Sequence, residues 1–316
     1  MDLPRRRAWR RLPERVTQMT AGPPLIVALL RHTDLRPDVD PLSGHVSRDD
    51  RSAGANPAEL AALEYALLIA DAWDGRVLAV TAGSVAAEAT LREARAVGAS
   101  VLRVPWPSRG AADEDAWIAD LADDGRSLAE ALVAAIRTVG EPDLVLCGDR
   151  SADRGTGTIP AYVAHELGAA QALGLVSLSV EGAGLRAQRR LDGGRREVLR
   201  VPRPAVCSVE AAGLRLRRAP LMAELQAQRS AVPVAALPSV VTPAEVHVGR
   251  PASHRPRPRL VPPPAGADPR ERLLELTGAL ATRSAPTVLG PMPAEEAADV
   301  LLQWLAERGY TPVESS

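Results

Sequence analysis

Apolar runs that alternate with helical patterns are the feature that most constrains how this chain can fold. In chain order, the predicted strands cover residues 25–31, 76–82, 101–104 and 143–147, and the predicted helices cover residues 56–73, 86–97 and about 124–139. Strands that are apolar throughout and separated by helices are typical of a parallel sheet with helices on both faces. We therefore predict an α/β fold with a doubly wound, mostly parallel sheet of the Rossmann-like, nucleotide-binding type.

The pattern changes after Gly168, where four predicted strands follow one another without helical patterns between them. These strands cover residues 173–180, 185–191, 196–201 and 205–209. The sequence Asp192-Gly193-Gly194 separates two of the strands and is typical of a tight turn. We therefore predict that a β-hairpin is added to the parallel sheet.

The segment from Gly148 to Gly168 reads GDRSADRGTGTIPAYVAHELG and follows the apolar run at 143–147. A strand that ends in a glycine-rich turn and opens a helix directs unpaired backbone N–H groups to one place, where they can bind phosphate. The segment fits neither the Walker pattern nor GxGxxG, and its local pattern is equally typical of a plain turn. The fold favours a phosphate site, because the strand ends near Arg31, Ala82 and Gly148 would meet in one crevice.

Composition limits the class of protein. The chain has 316 residues, of which 46% are apolar, and its formal net charge is -1. This charge argues against a nucleic-acid partner or binding to an acidic membrane, and the sequence has no apolar run long enough for membrane insertion. Cys147 and Cys207 lie in apolar stretches without metal-ligand spacing, so we expect buried thiols, a reducing cytoplasm and no metal site.

Several motifs in this order resemble the beta subunit of electron transfer flavoprotein, from about Leu25 to Arg229. The motifs are VALLR, ANPAELAALEYAL, AVTAGSVAAEATLREARAVGA, PDLVLCGDRSADRGTGTIPAYVAHELGAAQ and RRLDGGRREVLRVPRPAVCSVE. The resemblance is to a divergent branch of the family, of the sort associated with the peptide-derived redox cofactor mycofactocin.

This resemblance implies a heterodimer that passes electrons from a dehydrogenase to a quinone reductase or another acceptor. An alpha subunit would hold most of the FAD, and this chain would hold AMP or a second FAD. The flavin would carry the redox chemistry, so the chain would be an electron carrier subunit without catalytic residues rather than an enzyme. Two alternatives are an enzyme of the ATP pyrophosphatase type, which predicts ATP turnover, and a universal-stress-type nucleotide-sensing module, which predicts a homodimer without flavin.

Carried over by position, the resemblance places the nucleotide on the strand ends and the glycine-rich turn. The cofactor-binding residues implied are Ala28, Asn56, Pro57, Ala58, Glu59, Ala82, Gly148, Asp149, Arg150, Ser151, Ala152, Asp153, Arg154, Gly155, Thr156, Gly157, Thr158 and Ile159. Asn56 and Pro57 also suit a plain helix start. Arg150 and Arg154 are the charged phosphate partners we expect. The turn carries more arginines and fewer carboxylates than is usual in the family, so AMP and FAD both stay open.

The segment 213–226 matches the family's recognition loop, in which one leucine anchors the carrier to a dehydrogenase. That leucine falls at Leu221, and Arg215, Arg217 and Arg218 would steer an acidic partner. The residues also fit an amphipathic segment that packs on the protein's own core.

The predicted organisation has three parts. Residues 1–24 are a basic extension that we expect to be disordered and that lacks the apolar stretch of an export signal. Residues 25–231 form the nucleotide-binding domain. Residues 232–316 form a proline-rich linker and a C-terminal arm, with helices predicted at 269–282 and 293–308. The arm fits either an extension that wraps over the alpha subunit or a self-packed helical tail.

Overall fold

A computed structural model gives the structure of the protein, and it describes residues 22–47, 49–106, 125–153, 155–211, 213–236, 263–264, 267–277 and 290–308. Residues 1–21 of the basic N-terminal extension, most of the proline-rich linker and Arg154 lie outside the described residues. The chain divides into two units, Met1–His254 and Arg255–Ser316.

Eight strands of the first unit form one sheet. They are β1 (Leu25–Leu30), β2 (Arg76–Gly83), β3 (Ser100–Pro105), β4 (Leu144–Gly148), β5 (Ala170–Glu181), β6 (Gly184–Arg190), β7 (Arg196–Val201) and β8 (Ala205–Val209). Their spatial order is β7-β6-β5-β8-β4-β1-β2-β3. Neighbouring strands are parallel, except that β6 pairs antiparallel with β5 and with β7. The predicted fold class, a mostly parallel sheet with an added hairpin, is confirmed.

Helices cover both faces of this sheet. The described helices of the first unit are α1 (Pro57–Trp73), α2 (Glu88–Ala96), α3 (Arg126–Arg137), α4 (Ile159–Leu167) and α5 (Leu221–Arg229). Ile26 and Ala28 of β1 belong to the core that contains α1 and α2, whereas Val27 and Leu29 belong to the core that contains α3 and α4. Because β1 is buried on both faces, all six of its residues are apolar.

Short elements complete the first unit. Two-residue strands pair Thr33–Asp34 with Ala53–Gly54 and Asp38–Val39 with Val46–Ser47, and 3-10 turns lie at Asp50–Ser52, Val85–Ala87 and Asp192–Gly194. The turn at Asp192–Gly194 joins β6 to β7 as the sequence predicts, with Gly193 at φ 68° and Gly194 at φ 75°. Glycine adopts such positive angles without steric cost.

The start of α1 has a complete capping box. The Asn56 side chain accepts hydrogen bonds from the backbone N–H groups of Ala58 at 2.9 Å and Glu59 at 3.0 Å. The Glu59 carboxylate in turn accepts from the Asn56 N–H at 3.1 Å. Pro57 at the first helical position needs no N–H partner there. The helix therefore begins at a defined residue.

The two edge strands of the sheet have different surroundings. On the outer side of β3, Arg103 donates its backbone N–H to Pro233 at 2.9 Å and accepts from Ala235 at 2.8 Å, so the following chain segment covers this strand. On β7, the opposite margin, the exposed positions include Arg196 and Arg200.

The second unit contains two described helices, α6 (Pro269–Leu276) and α7 (Ala294–Glu307). The prediction for α7 is confirmed to within one residue at each end. The helix predicted at 269–282 is present as α6, and residues 278–282 of that prediction lie outside the described residues.

Candidate nucleotide-binding site

A cavity of about 430 Å³ lies at the carboxyl ends of β1, β2 and β4. Its lining residues are Leu29, Leu30, Arg31, Glu59, Val80, Ala82, Gly125, Leu128, Leu132, Cys147, Gly148, Arg150, Ser151, Asp153, Thr156, Gly157, Thr158, Ile159 and Pro160. The strand order reverses here, because β1 lies between β2 and β4. Open α/β sheets bind ligands at such a switch point, and sites for small molecules enclose about 300 to 1,000 Å³.

The glycine-rich loop at 148–158 has a tight, internally bonded shape. The Ser151 N–H donates to Thr156 O at 2.9 Å, and the Gly155 N–H donates to Ser151 O at 3.0 Å. A Cβ at Gly157 would lie 2.4 Å from the backbone oxygen of Asp149. The loop therefore needs glycine at position 157 for a close approach between two backbone segments.

Two hydrogen bonds hold this loop to the rest of the sheet layer. The Asp149 N–H donates to Val209 O at the end of β8 at 3.0 Å. The Asn56 side-chain amide donates to Arg150 O at 3.2 Å. Asn56 therefore caps α1 and fixes the loop at the same time.

Three charged or ionisable groups form a cluster on one cavity wall, which we name the Glu59–Arg31–Asp153 cluster. The Arg31 guanidinium donates to the Asp153 carboxylate from Nη2 at 2.6 Å and from Nε at 3.2 Å. Burial raises the pKa of Glu59 to about 7, although the N–H groups of Asn56 and Arg31 and the Arg31 charge oppose this rise. Near neutral pH, Glu59 is therefore divided between its charged and its neutral form.

The remaining lining fits a nucleotide. The Ser151 hydroxyl is buried and has no hydrogen-bond partner in the described part of the chain. Thr156, Thr158 and the exposed Arg150 of the same loop also line the cavity. Apolar side chains, among them Leu128 and Leu132 of α3, line the cavity as well. An apolar cavity with a few polar groups suits a base and ribose with a phosphate.

The structure brings ten of the eighteen predicted residues together in the cavity lining. These are Glu59, Ala82, Gly148, Arg150, Ser151, Asp153, Thr156, Gly157, Thr158 and Ile159. The others lie elsewhere. Asp149, Ala152 and Gly155 belong to the loop but not to the lining, Asn56 and Ala58 lie at the start of α1, and Pro57 lines a separate groove. Ala28 is fully buried and packs in the α1 core, and Arg154 lies outside the described residues.

Other lining residues were not predicted. They are Leu29, Leu30, Arg31, Val80, Gly125, Leu128, Leu132, Cys147 and Pro160. Arg31 is the first charged residue after β1 and could have been found from its place at the strand end. Gly125, Leu128 and Leu132 could not have been found from the sequence, because the start of α3 contains no recognisable motif.

Both cysteines are buried free thiols, as the sequence predicts. Burial raises the pKa of Cys147 and of Cys207, so both are in the neutral thiol form. The described residues contain no group of three or more His, Cys, Asp or Glu that could hold a metal ion. None of the helices described here combines the length and apolar content that crossing a bilayer requires.

The predicted partner segment combines a packed stem with an exposed tip. Leu214 and Leu216 pack against the core, whereas Leu221 is 71% exposed and Met222 is 74% exposed. The stem therefore packs on the protein's own core, whereas the role of Leu221 as an anchor for a partner stays a prediction.

The arginines of this segment differ in their surroundings. Arg217 contacts Glu64 of α1 at 3.0 Å and Asp71 at 3.6 Å, and its backbone N–H donates to Glu64 at 2.9 Å. Arg217 therefore holds the segment against α1, with its charge balanced inside the chain. Arg215 and Arg218 are exposed.

The sheet order defines a Rossmann-like α/β protein, with a cavity at the switch point of the sheet. The family model described as "Electron transfer flavoprotein domain" matches residues 44–238. The chain belongs to the electron transfer flavoprotein family, among its beta-type members.

The chain is similar to several curated proteins of this group. It is 29% identical over 201 residues to protein FixA of Azorhizobium caulinodans, a match that covers 61% of this chain and 68% of that protein. It is 31% identical over 197 residues to protein FixA of Rhizobium meliloti, covering 61% of this chain and 65% of that protein. With the electron transfer flavoprotein subunit beta of Thermoanaerobacterium thermosaccharolyticum it shares 29% identity over 171 residues, covering 53% and 60%. The matches thus span about two thirds of these relatives' length or less.

Proposed function

We infer that this chain is the beta-type subunit of a heterodimeric electron transfer flavoprotein. In this role it binds the adenylate part of AMP, or of a second FAD, while an alpha subunit holds most of the redox-active FAD. The observation that carries the proposal is the cavity at the switch point of the sheet, in a chain that belongs to this family. The flavin supplies the redox chemistry, and this chain supplies cavity walls, a nucleotide and a docking surface.

The cavity lining supports an adenylate ligand. Its apolar walls can exclude water from the base, and Ser151 and Arg150 of the loop line the cavity, where we expect their side chains to bind a phosphate. The buried Ser151 hydroxyl lacks a partner in the described part of the protein, and an unmet buried hydroxyl costs about 1 to 3 kcal/mol. A ligand oxygen that accepts this hydrogen bond recovers that cost.

The exposed tip at Leu221 supports transient contact with an electron donor, a dehydrogenase. Burying a leucine side chain contributes roughly 1.5 to 3 kcal/mol, which is enough to orient a weak complex without locking it. The exposed Arg215 and Arg218 add attraction to an acidic surface, which increases the rate of encounter. A quinone reductase or another acceptor would receive the electrons from the flavin.

Co-expression with the alpha-like partner, followed by acid release and chromatography of the bound molecules, tests the proposal. Equal amounts of FAD and AMP support the plain carrier, and two FAD per heterodimer support a second flavin in this chain. A complex that holds neither adenylate nor flavin after gentle purification refutes the assignment.

A pair of matched variants tests the cavity itself. Ser151→Ala removes the unpartnered hydroxyl that lines the cavity, and Thr81→Val removes a second such hydroxyl, which is fully buried but outside the lining. We expect both variants to retain or gain stability. Only Ser151→Ala should weaken adenylate binding, by about two- to tenfold, because one hydrogen bond contributes about 0.5 to 1.5 kcal/mol. Equal affinities in the two variants would argue against adenylate in this cavity.

A further inference from the structure

The buried carboxyl group of Glu59 is part of the cavity wall. The residue is 6% exposed, and it lies at the base of the glycine-rich loop. A Cβ at Gly148 would lie 3.0 Å from Glu59 Cγ, so the loop begins directly against this side chain. A ligand in the cavity therefore meets Glu59 without any rearrangement of α1.

The groups that face Glu59 come from four parts of the fold. Its own helix start contributes the Asn56 N–H at 3.1 Å. The end of β1 contributes the N–H and the charge of Arg31, the loop contributes the charge of Asp153, and β4 contributes the Cys147 thiol. Because Cys147 is neutral, the charged groups of this cluster are the Arg31 guanidinium and the two carboxyl groups of Glu59 and Asp153.

We propose that occupation of this cavity by an anionic nucleotide is coupled to proton uptake by Glu59. The inference rests on the proposed function for the class of ligand. A phosphate group brings negative charge close to a carboxyl group that is already poorly solvated, and it competes with that group for Arg31. Protonation of Glu59 from solvent removes the repulsion, so the neutral form of Glu59 favours the bound state.

The size of the effect follows from linkage. Burial raises the pKa of Glu59 to about 7 in the free protein. If the ligand raises this pKa by about one further unit, binding takes up roughly half a proton between pH 7 and 8. The affinity for the nucleotide is then about threefold weaker at pH 8 than at pH 7, because Glu59 is already protonated in a smaller fraction of the free protein at pH 8.

Calorimetric titration of the full chain with AMP, in buffers of different ionisation enthalpy, measures the proton uptake directly. We expect roughly half a proton at about pH 7.5 for the unmodified chain and a clearly smaller value for Glu59→Gln. Glu93→Gln is the matched control, since Glu93 also has a raised pKa but lies on α2 outside the cavity. The phosphate of AMP has a second pKa of about 6 and contributes equally in all three proteins, so their difference is the relevant readout.

The outcomes separate this inference from the proposed function. Equal proton uptake by the unmodified chain and Glu59→Gln overturns the inference and leaves the nucleotide site intact. If neither AMP nor FAD binds, the inference and the nucleotide site fall together. Should Glu59→Gln not fold, the unmodified chain is titrated with AMP and with uncharged adenosine at about pH 8, well above the phosphate pKa. Equal proton uptake from these two ligands also overturns the inference.

Discussion

The contact between Gly157 and Asp149 makes Gly157→Ala the sharpest test of the loop shape. The added Cβ would lie 2.4 Å from the Asp149 backbone oxygen, whereas ordinary van der Waals contacts begin at 3.4 Å. The two segments must therefore separate by about 1 Å, the difference between these two distances. A shift of that size moves the backbone that lines the cavity between Arg150 and Thr158.

The expected magnitude has two parts. Overpacking of a well-packed region costs about 1 to 3 kcal/mol of unfolding free energy. A displaced loop also loses a hydrogen bond to a charged phosphate, which contributes about 1.5 to 3 kcal/mol and corresponds to a loss of about ten- to a hundredfold in affinity. Gly157→Ala should therefore lower the free energy of nucleotide binding by at least as much as it lowers the free energy of unfolding.

Gly155→Ala is the matched control in the same loop. A Cβ at Gly155 meets nothing within 4 Å, so its cost comes only from the backbone angle of φ +66°. A left-handed conformation costs a non-glycine residue about 1 to 2 kcal/mol, a penalty on stability that needs no displacement of the cavity wall. The two variants therefore differ mainly in the position of the loop.

Urea unfolding and calorimetric binding of AMP, measured on both variants, separate the two costs. We expect Gly155→Ala to lose stability with little loss of affinity, and Gly157→Ala to lose both. A folded Gly157→Ala variant that binds AMP as tightly as the unmodified chain would refute the argument that this close approach shapes the site.

Four further predictions concern other parts of the first unit. Glu59 has a pKa raised to about 7, so its contribution to folding is present below about pH 4.5 and is lost as pH rises to 7. Glu59→Gln should remove this decline, worth up to about 3 kcal/mol, in unfolding experiments across that range. Arg217→Gln should increase hydrogen exchange in the segment from 213 to 220, because its contacts with Glu64 hold that segment; unchanged exchange would count against this role. Leu221→Ala should slow reduction by the donor while bound cofactors, measured by chromatography, stay constant; unaltered reduction kinetics would exclude the anchor. Asn56→Ala should cost about 1 kcal/mol in urea unfolding, since the helix loses its cap, and an unchanged midpoint would contradict that.

The sequence predicts the central strands β1, β2, β4 and β8 well because each of them buries a run of apolar residues. In a strand that is buried on both faces, apolar residues occupy both faces, so the sequence does not indicate on which face of the sheet a residue lies. All six residues of β1 are apolar, so nothing in the sequence separates Ala28, which packs toward α1, from Leu29, which lines the cavity. The start of α1 was predictable because the Asn-Pro pair and Glu59 form a local capping signal.

Contacts between distant segments account for what the sequence does not predict. Arg31 and Asp153 are 122 positions apart in the chain and meet only because β1 and β4 are neighbours in the sheet. In the same way, the sequence predicts that Arg217 attracts an acidic partner, whereas the structure shows that Arg217 forms an ion pair with Glu64. Ion pairs of this kind depend on the strand order, which has no local signature.

The protection of the two edge strands of the sheet bears on how copies of this chain interact with one another. An open strand is a template on which other chains can polymerise, and proteins protect such margins with charge or with covering segments. Here β3 is covered by the segment around Val234, and β7 presents the charged side chains of Arg196 and Arg200. Pairing of either edge strand with a strand of another copy is therefore disfavoured.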